Sequence, residues 1–132
     1  MPEFMCYHSE SGEDVVLRWY RSQTPAVQGA VVATVEALRH RPRNRWRRKP
    51  YGGLRGALCS GLGELRIEEP KGIHYRILGF FDEGGTQFVL LCAFRKDHDP
   101  EYRMACPKAQ ECRSDVERDK ARSRKCQFPT PS

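Results

Sequence analysis

Residues suited to phosphate chemistry gather in the back half of the chain. Lys71 and Arg76 lie five residues apart, and Lys96, His98 and Tyr102 fall within the run FRKDHDPEY. Cutting RNA without a metal sets three tasks: taking the proton from a 2′-hydroxyl, stabilising the charge on a pentacoordinate phosphate, and protonating the leaving 5′-oxygen. Arginine suits the second task, because its planar fork grips two phosphate oxygens at once. Arg76 is the candidate for that role, with Lys71 and Lys96 adding positive charge around the scissile phosphate. His98 is the natural proton carrier, since histidine is the side chain that titrates near neutral pH. His74 is its rival, because strand alternation puts it on the Arg76 face. Tyr102 is a base-stacking platform, or a base if a neighbouring cation lowers its pKa. Each has a structural alternative. Arg76 pairs with Glu64 or Glu68 on a neighbouring strand, His98 is an exposed loop residue, or Tyr102 packs beneath a helix.

A second cluster has a different character. Residues 39–49, RHRPRNRWRRK, hold seven cations (Arg39, Arg41, Arg43, Arg45, Arg47, Arg48 and Lys49) and no acid. Such a block, with Trp46 inside it and Tyr51 beside it, points to a phosphate backbone. Pro42 and Pro50 and the lack of an apolar stripe argue against an amphipathic membrane helix. Arg95 and His74 join this group as flanking phosphate contacts. The chain carries 23 Lys and Arg against 17 Asp and Glu, a net charge of +6 over 132 residues.

The composition also excludes function classes. There is no dinucleotide fingerprint, P-loop, G-x-S-x-G or H-E-x-x-H. The six cysteines include no C-x-x-C pair, so the usual zinc spacing is missing. No metal and no cofactor is expected. No signal peptide or membrane span is read from the chain. A cytoplasmic protein with free thiols is therefore expected, with Cys92 packing as a small hydrophobe in a strand.

These residues need a scaffold. Residues 3–8 read as a strand. A helix over 12–22 is expected with Ser11 as its cap. A second helix follows Thr24 and Pro25, with an apolar stripe of Val27, Val31, Val35 and Leu38. Residues 42–53 read as irregular. Leu65 and Ile67 alternate with Glu64, Arg66 and Glu68 in a strand with one wet face. Pro70–Gly72 turns into a strand over 73–81, with Tyr75 and Ile77 on one face and His74, Arg76, Leu78 and Phe80 on the other. A turn at Asp82–Gly85 leads to a doubly covered strand over 86–94. Asp99 and Pro100 open a C-terminal helix that Pro107 should kink or restart. The expected fold is α+β: an N-terminal strand and a helical hairpin on a small twisted antiparallel sheet, with a C-terminal helix. Residues 1–118 form one domain and 119–132 a charged tail expected to fray.

The segments GLGELRI (61–67), HYRILGFF (74–81) and LLCAFRKD (90–97) resemble, in order, three strands of the RelE/ParE toxin superfamily. The nearest likeness is to its HigB-like, phage-derived branch, with its "GLWELR", "YR-x-L-x-F" and "LLHGF-x-K" strands. The resemblance spans roughly residues 3–118. It implies a RelE-like fold and a toxin of a type II toxin–antitoxin pair. The partners would be a small helix-turn-helix antitoxin, and the ribosome with its mRNA, which the toxin cleaves. Arg76 takes the place of the family's phosphate-binding arginine and Lys71 that of a lysine near the nucleophile. Lys96 matches the lysine after the last strand. His98 falls where RelE-like toxins carry a second catalytic arginine, and Tyr102 falls close to the catalytic tyrosine. Cys92 and Ala93 replace the histidine and glycine of "LLHGF", and Glu69 stands where the RelE branch often has lysine. The alternative reading is a non-catalytic, ParE-like gyrase poison, or a degenerate domain that keeps only RNA or antitoxin affinity.

Overall fold

A computed structural model describes residues 1–47, 49–97 and 101–131. Strand β1 (Glu3–Tyr7) leads to α1 (Val15–Arg21) and α2 (Pro25–Arg39). Next come β2 (Tyr51–Gly53), β3 (Gly63–Glu68), β4 (His74–Phe81) and β5 (Gln87–Lys96). The chain ends in α3 (Glu101–Arg118) and β6 (Ser123–Lys125). The six strands form one sheet in the order β2-β3-β4-β5-β1-β6. β2 to β5 pair antiparallel, β1 lies parallel to β5, and β6 closes the edge antiparallel to β1. The architecture is α+β, with helices on both faces of the sheet.

The helical hairpin forms for local reasons. The Thr24 hydroxyl accepts the Val27 N–H, and Pro25 opens α2 where a helix needs no N–H. Val27, Val31, Val35 and Leu38 are all buried. They pack with Val16 and Tyr20 of α1 against Phe4, Leu65, Ile67, Tyr75, Ile77, Phe88 and Leu90 of the sheet. Trp19 is half-buried, edge-on to Tyr75. The start of α1 differs from expectation. Gly12 turns at φ 86°, and the Asp14 carboxylate caps Leu17, so the helix starts three residues later than Ser11 would allow.

On the opposite face, α3 presents Cys106, Ala109, Cys112 and Val116 to Met5, Tyr7, Leu78, Phe80, Val89 and Leu91. The ladder between β4 and β5 slips at Leu78–Gly79. A Cβ on Gly79 would sit 2.5 Å from the Val89 carbonyl, which is why glycine occupies the bulge. The β4–β5 turn forms as expected: Asp82 Oδ1 accepts the N–H groups of Thr86 and Gln87.

Several expectations need correction. Segment 42–53 is not wholly irregular, since it contributes β2 at the sheet edge. Pro107 neither ends nor restarts α3, which runs through it. The cap assigned to Asp99 and Pro100 lies outside the described residues. The tail expected to fray instead adds β6, and Phe128 packs on Tyr20. The cysteines are not all free thiols. Disulfides join Cys6 to Cys126 and Cys59 to Cys106, leaving Cys92 and Cys112 as buried thiols. Cys92 behaves as the small hydrophobe expected, and burial pushes its thiol pKa up to about 12.

Trp46, read from sequence as part of a phosphate-facing block, is also corrected. It is core, stacked on Phe4 and edge-on to Tyr51 and Phe88, and its Nε1–H donates to the carbonyls of Leu38 and Arg41. Trp46→Ala should therefore cost about 3–5 kcal/mol of stability, the range for truncating a buried aromatic. Urea denaturation with an unchanged midpoint would contradict this placement.

Candidate functional site

The strand registers gather the polar residues on one face. Across β3, β4 and β5, the row Glu68–His74–Lys96 lies next to the row Arg66–Arg76–Phe94, and Glu64 follows beside Leu78. All project on the α3 side, at the sheet end where β4 begins. The apolar face of α3, from Cys106 to Val116, covers the other end of the sheet. Only the first turn of α3, carrying Tyr102, reaches the polar end.

Glu64 is the centre of this cluster. It is 3% exposed, and three groups converge on it. Arg66 Nε donates to Oε1 at 3.1 Å, and the Tyr102 hydroxyl donates to Oε2 at 2.6 Å. Arg76 Nε stands 3.6 Å from Oε2, within ion-pair range but beyond hydrogen-bond reach. Arg76 is 7% exposed. Its Nη1 donates to the Tyr75 carbonyl, and its buried Nε has no hydrogen-bond partner. The expected alternative, Arg76 paired with Glu64, is therefore what the fold builds. Two guanidiniums share one carboxylate, so the cluster keeps a net positive charge.

The Tyr102 ring meets Phe94 edge-on, with Lys96 Nζ 5.8 Å from its centroid. Burial, and then the hydrogen bond to Glu64, hold its pKa well above the usual phenol range, while Arg76 pulls the other way. A Tyr102 made basic by neighbouring cations is thus corrected: it is a hydrogen-bond donor. Around the rim, His74 Nδ1 lies 3.8 Å and Lys49 Nζ 3.5 Å from Glu68 Oε1.

Not every expected residue joins this cluster. Lys71 is exposed on the β3–β4 turn, beyond the Glu68–His74 pair. Arg95 opposes Tyr75, on the other face, and pairs with Asp97 at 2.9 Å. His98 and Arg48 lie outside the described residues. In the basic segment, Arg39 pairs with Glu36 and Arg43 stacks on Phe81 at 4.0 Å. Arg41, Arg45 and Arg47 are exposed and line, with Pro42, a cleft of about 640 Å³. Sequence reading left Glu64 and Arg66 as the wet face of a strand. Their alternation with Leu65 and Ile67 was visible, but not that Tyr102, 38 residues on, covers them.

The model of one family, the phage-derived protein Gp49-like family (DUF891), matches residues 18–114, well over half the chain. The chain belongs to this Gp49-like family. That match spans the second half of α1, all of α2, β2 to β5 and most of α3, including every member of the Glu64 cluster. Gp49-like proteins are commonly part of toxin–antitoxin systems. Neither the curated proteins nor the solved structures give a significant match. No helix among the described residues is long and apolar enough to cross a membrane.

The raised Tyr102 pKa sets a pH dependence. A phenol whose pKa is higher in the folded state stabilises fully below its unfolded value, near 10, and loses that contribution as pH rises toward the folded value. Tyr7, pushed to about 12 by burial and its bond to Asp115, acts in the same direction. Stability should thus begin to fall above about pH 10. Tyr102→Phe, which leaves Glu64 one donor short, should cost about 1–3 kcal/mol at neutral pH. It should also flatten the alkaline loss. Thermal melts of both proteins from pH 7 to 11 check this, and an identical alkaline slope in the variant would refute it.

Proposed function

We propose that the protein is the toxin of a type II toxin–antitoxin pair, of RelE-like fold and HigB-like kind, that cleaves mRNA in the ribosome. The observation carrying this reading is the Arg66–Arg76 pair gathered on Glu64 beneath Tyr102, at the polar end of the sheet. It is rimmed by His74, Lys96 and Lys49, in a chain whose family is commonly part of toxin–antitoxin systems. RNA enters with its scissile phosphate at the guanidinium pair. Arg76 binds the equatorial oxygens, and Lys96 and Lys71 lower the cost of the added charge. The 2′-oxygen attacks phosphorus as its proton is taken, and the bond to the 5′-oxygen breaks as that oxygen is protonated. His98 and His74 are the candidate proton carriers, while Tyr102 donates a hydrogen bond and offers a ring for base stacking.

Arg41, Arg45 and Arg47 carry the ribosomal contact, because phosphate contacts position a protein without reading sequence. The other partner is a small helix-turn-helix antitoxin. A second reading, a non-catalytic gyrase poison or RNA-binding domain, is favoured by one observation: Arg76 already has a carboxylate partner.

Two experiments separate the readings. Inducible expression with mapping of RNA 5′ ends should show arrested growth and cut mRNAs. Arg76→Lys, which keeps a cation beside Glu64 but loses the two-pronged grip, should cut the rate on the order of a hundredfold with the fold retained. Arrest with intact mRNA and broken DNA would overturn the ribonuclease reading in favour of gyrase poisoning. In the second experiment, changing Arg41, Arg45 and Arg47 together to Gln should lower the salt slope of RNA binding by roughly 2, at ~0.7 per phosphate contact on a single strand. An unchanged slope would show these residues to be a solvated loop.

A further inference from the structure

Four cysteines lie in the apolar cluster under α3: the Cys59–Cys106 disulfide and the thiols of Cys92 and Cys112. The disulfide is closely tied to the Glu64 cluster. Cys106 follows Tyr102 by one helical turn, and Cys59 precedes Glu64 by five residues. The S–S bond and the Tyr102–Glu64 hydrogen bond therefore close one ring, running from Cys59 along the chain to Glu64, across to Tyr102 and down α3 to Cys106. Arg76, beside Glu64, is kept 7% exposed. For Arg76 to bind a phosphate as proposed above, the Tyr102 turn must first move aside.

A second feature lies at the same place. Pro107, directly after Cys106, sits inside α3 and has no N–H to offer the carbonyl four residues back. The helix is weakest there, between the turn carrying Tyr102 and the rest. Beyond Pro107 the helix has its own anchors. Gln110 Nε2 donates to the Ser60 carbonyl at 2.7 Å, Tyr7 donates to Asp115, and Ala109, Cys112 and Val116 are buried. Loss of the S–S bond would leave these in place, while the turn at 101–106 would be held by non-covalent contacts, such as Tyr102 on Glu64 and Phe94 and the Asp97 N–H on Glu101, and could hinge at Pro107.

We propose that Cys59–Cys106 is a redox latch: oxidised, it holds Tyr102 against the Glu64–Arg76 pair, and its reduction by a dithiol uncovers the two guanidiniums for a phosphate. The inference rests on the reading of Arg76 as a phosphate ligand. Ala57 and Leu58 are exposed and Cys59 beside them is 8% exposed, so the reagent reaches Cys59 from this turn, whereas Cys106 is fully buried. One reagent thiolate bonds to Cys59 Sγ and expels the Cys106 thiolate, which takes up a proton. The second reagent thiol, on losing its proton, attacks the mixed disulfide, and Cys59 leaves as a thiolate that is protonated in turn. Two electrons and two protons pass to the protein, and the reagent becomes a cyclic disulfide. Burial raises the pKa values of Cys92 and Cys112, so these neighbouring thiols stay protonated and do not reshuffle the bond.

The test is phenylglyoxal modification of the full chain, oxidised and dithiothreitol-reduced, with the arginine adducts mapped by mass spectrometry. Arg76 should react about tenfold faster or more after reduction, as a local opening would permit. The double variant Cys59→Ser/Cys106→Ser should react at the fast rate with or without reductant. Cys6→Ser/Cys126→Ser should still respond. Should Arg76 stay protected once thiol counting shows Cys59 and Cys106 free, or react equally in both states, the latch is wrong. If reduction uncovers Arg76 but the reduced protein leaves mRNA uncut on ribosomes, the latch stands and the ribonuclease reading fails.

Discussion

Glu64 sets the terms for the polar end of this molecule. A carboxylate taken this far out of water costs several kcal/mol unless charges and donors meet it. The chain meets it from three elements: Arg66 on the same strand, Arg76 on the next, and Tyr102 on α3. Each is thereby fixed. Arg66 lies flat along β3 toward Gly52, Arg76 turns back into its own strand, and the first turn of α3 comes down on the sheet. Removing the carboxylate would leave a buried and a half-buried guanidinium without a counter-charge, a worse state than the one it resolves.

The apolar remainder explains why this cluster stands where it does. α1 and α2 together cover one face of the sheet, whereas a single helix covers the other. That helix carries its apolar stripe from Cys106 to Val116, over Leu78, Phe80 and Leu91. Beyond its reach the same strands switch from leucine and phenylalanine to His74, Arg76 and Lys96. The polar end is thus a consequence of helix coverage, and it exposes a rim of cations around a buried pair.

Local features were legible in the sequence. The Thr24–Pro25 cap, the valine stripe of α2, the alternation along β4 and the glycine turn before β5 each follow from neighbours a few residues away. The misses are non-local. Tyr51-Gly52-Gly53 has no strand pattern, and becomes β2 only because β3 offers an edge. Ser123–Lys125 reads as a charged tail, and is a strand only because β1 has a free side and Cys126 bonds a cysteine 120 positions earlier. The same holds at the site. Alternation put Arg76 and His74 on one face correctly, but whether Arg76 faces a groove or a carboxylate depended on Tyr102 arriving from far along the chain.

Trp46 interrupts a run of arginines, and its indole is pinned in the core by two carbonyls and a ring of aromatics. The backbone that bears Arg45 and Arg47 is therefore tied to the core on either side of one buried ring. An untethered basic arm surrenders backbone entropy whenever it is ordered, whereas here folding has already met that cost and only side-chain freedom is left to lose. Arg41, Arg45 and Arg47 thus stand on the surface as a rail of cations, bolted to the core by the one indole among them.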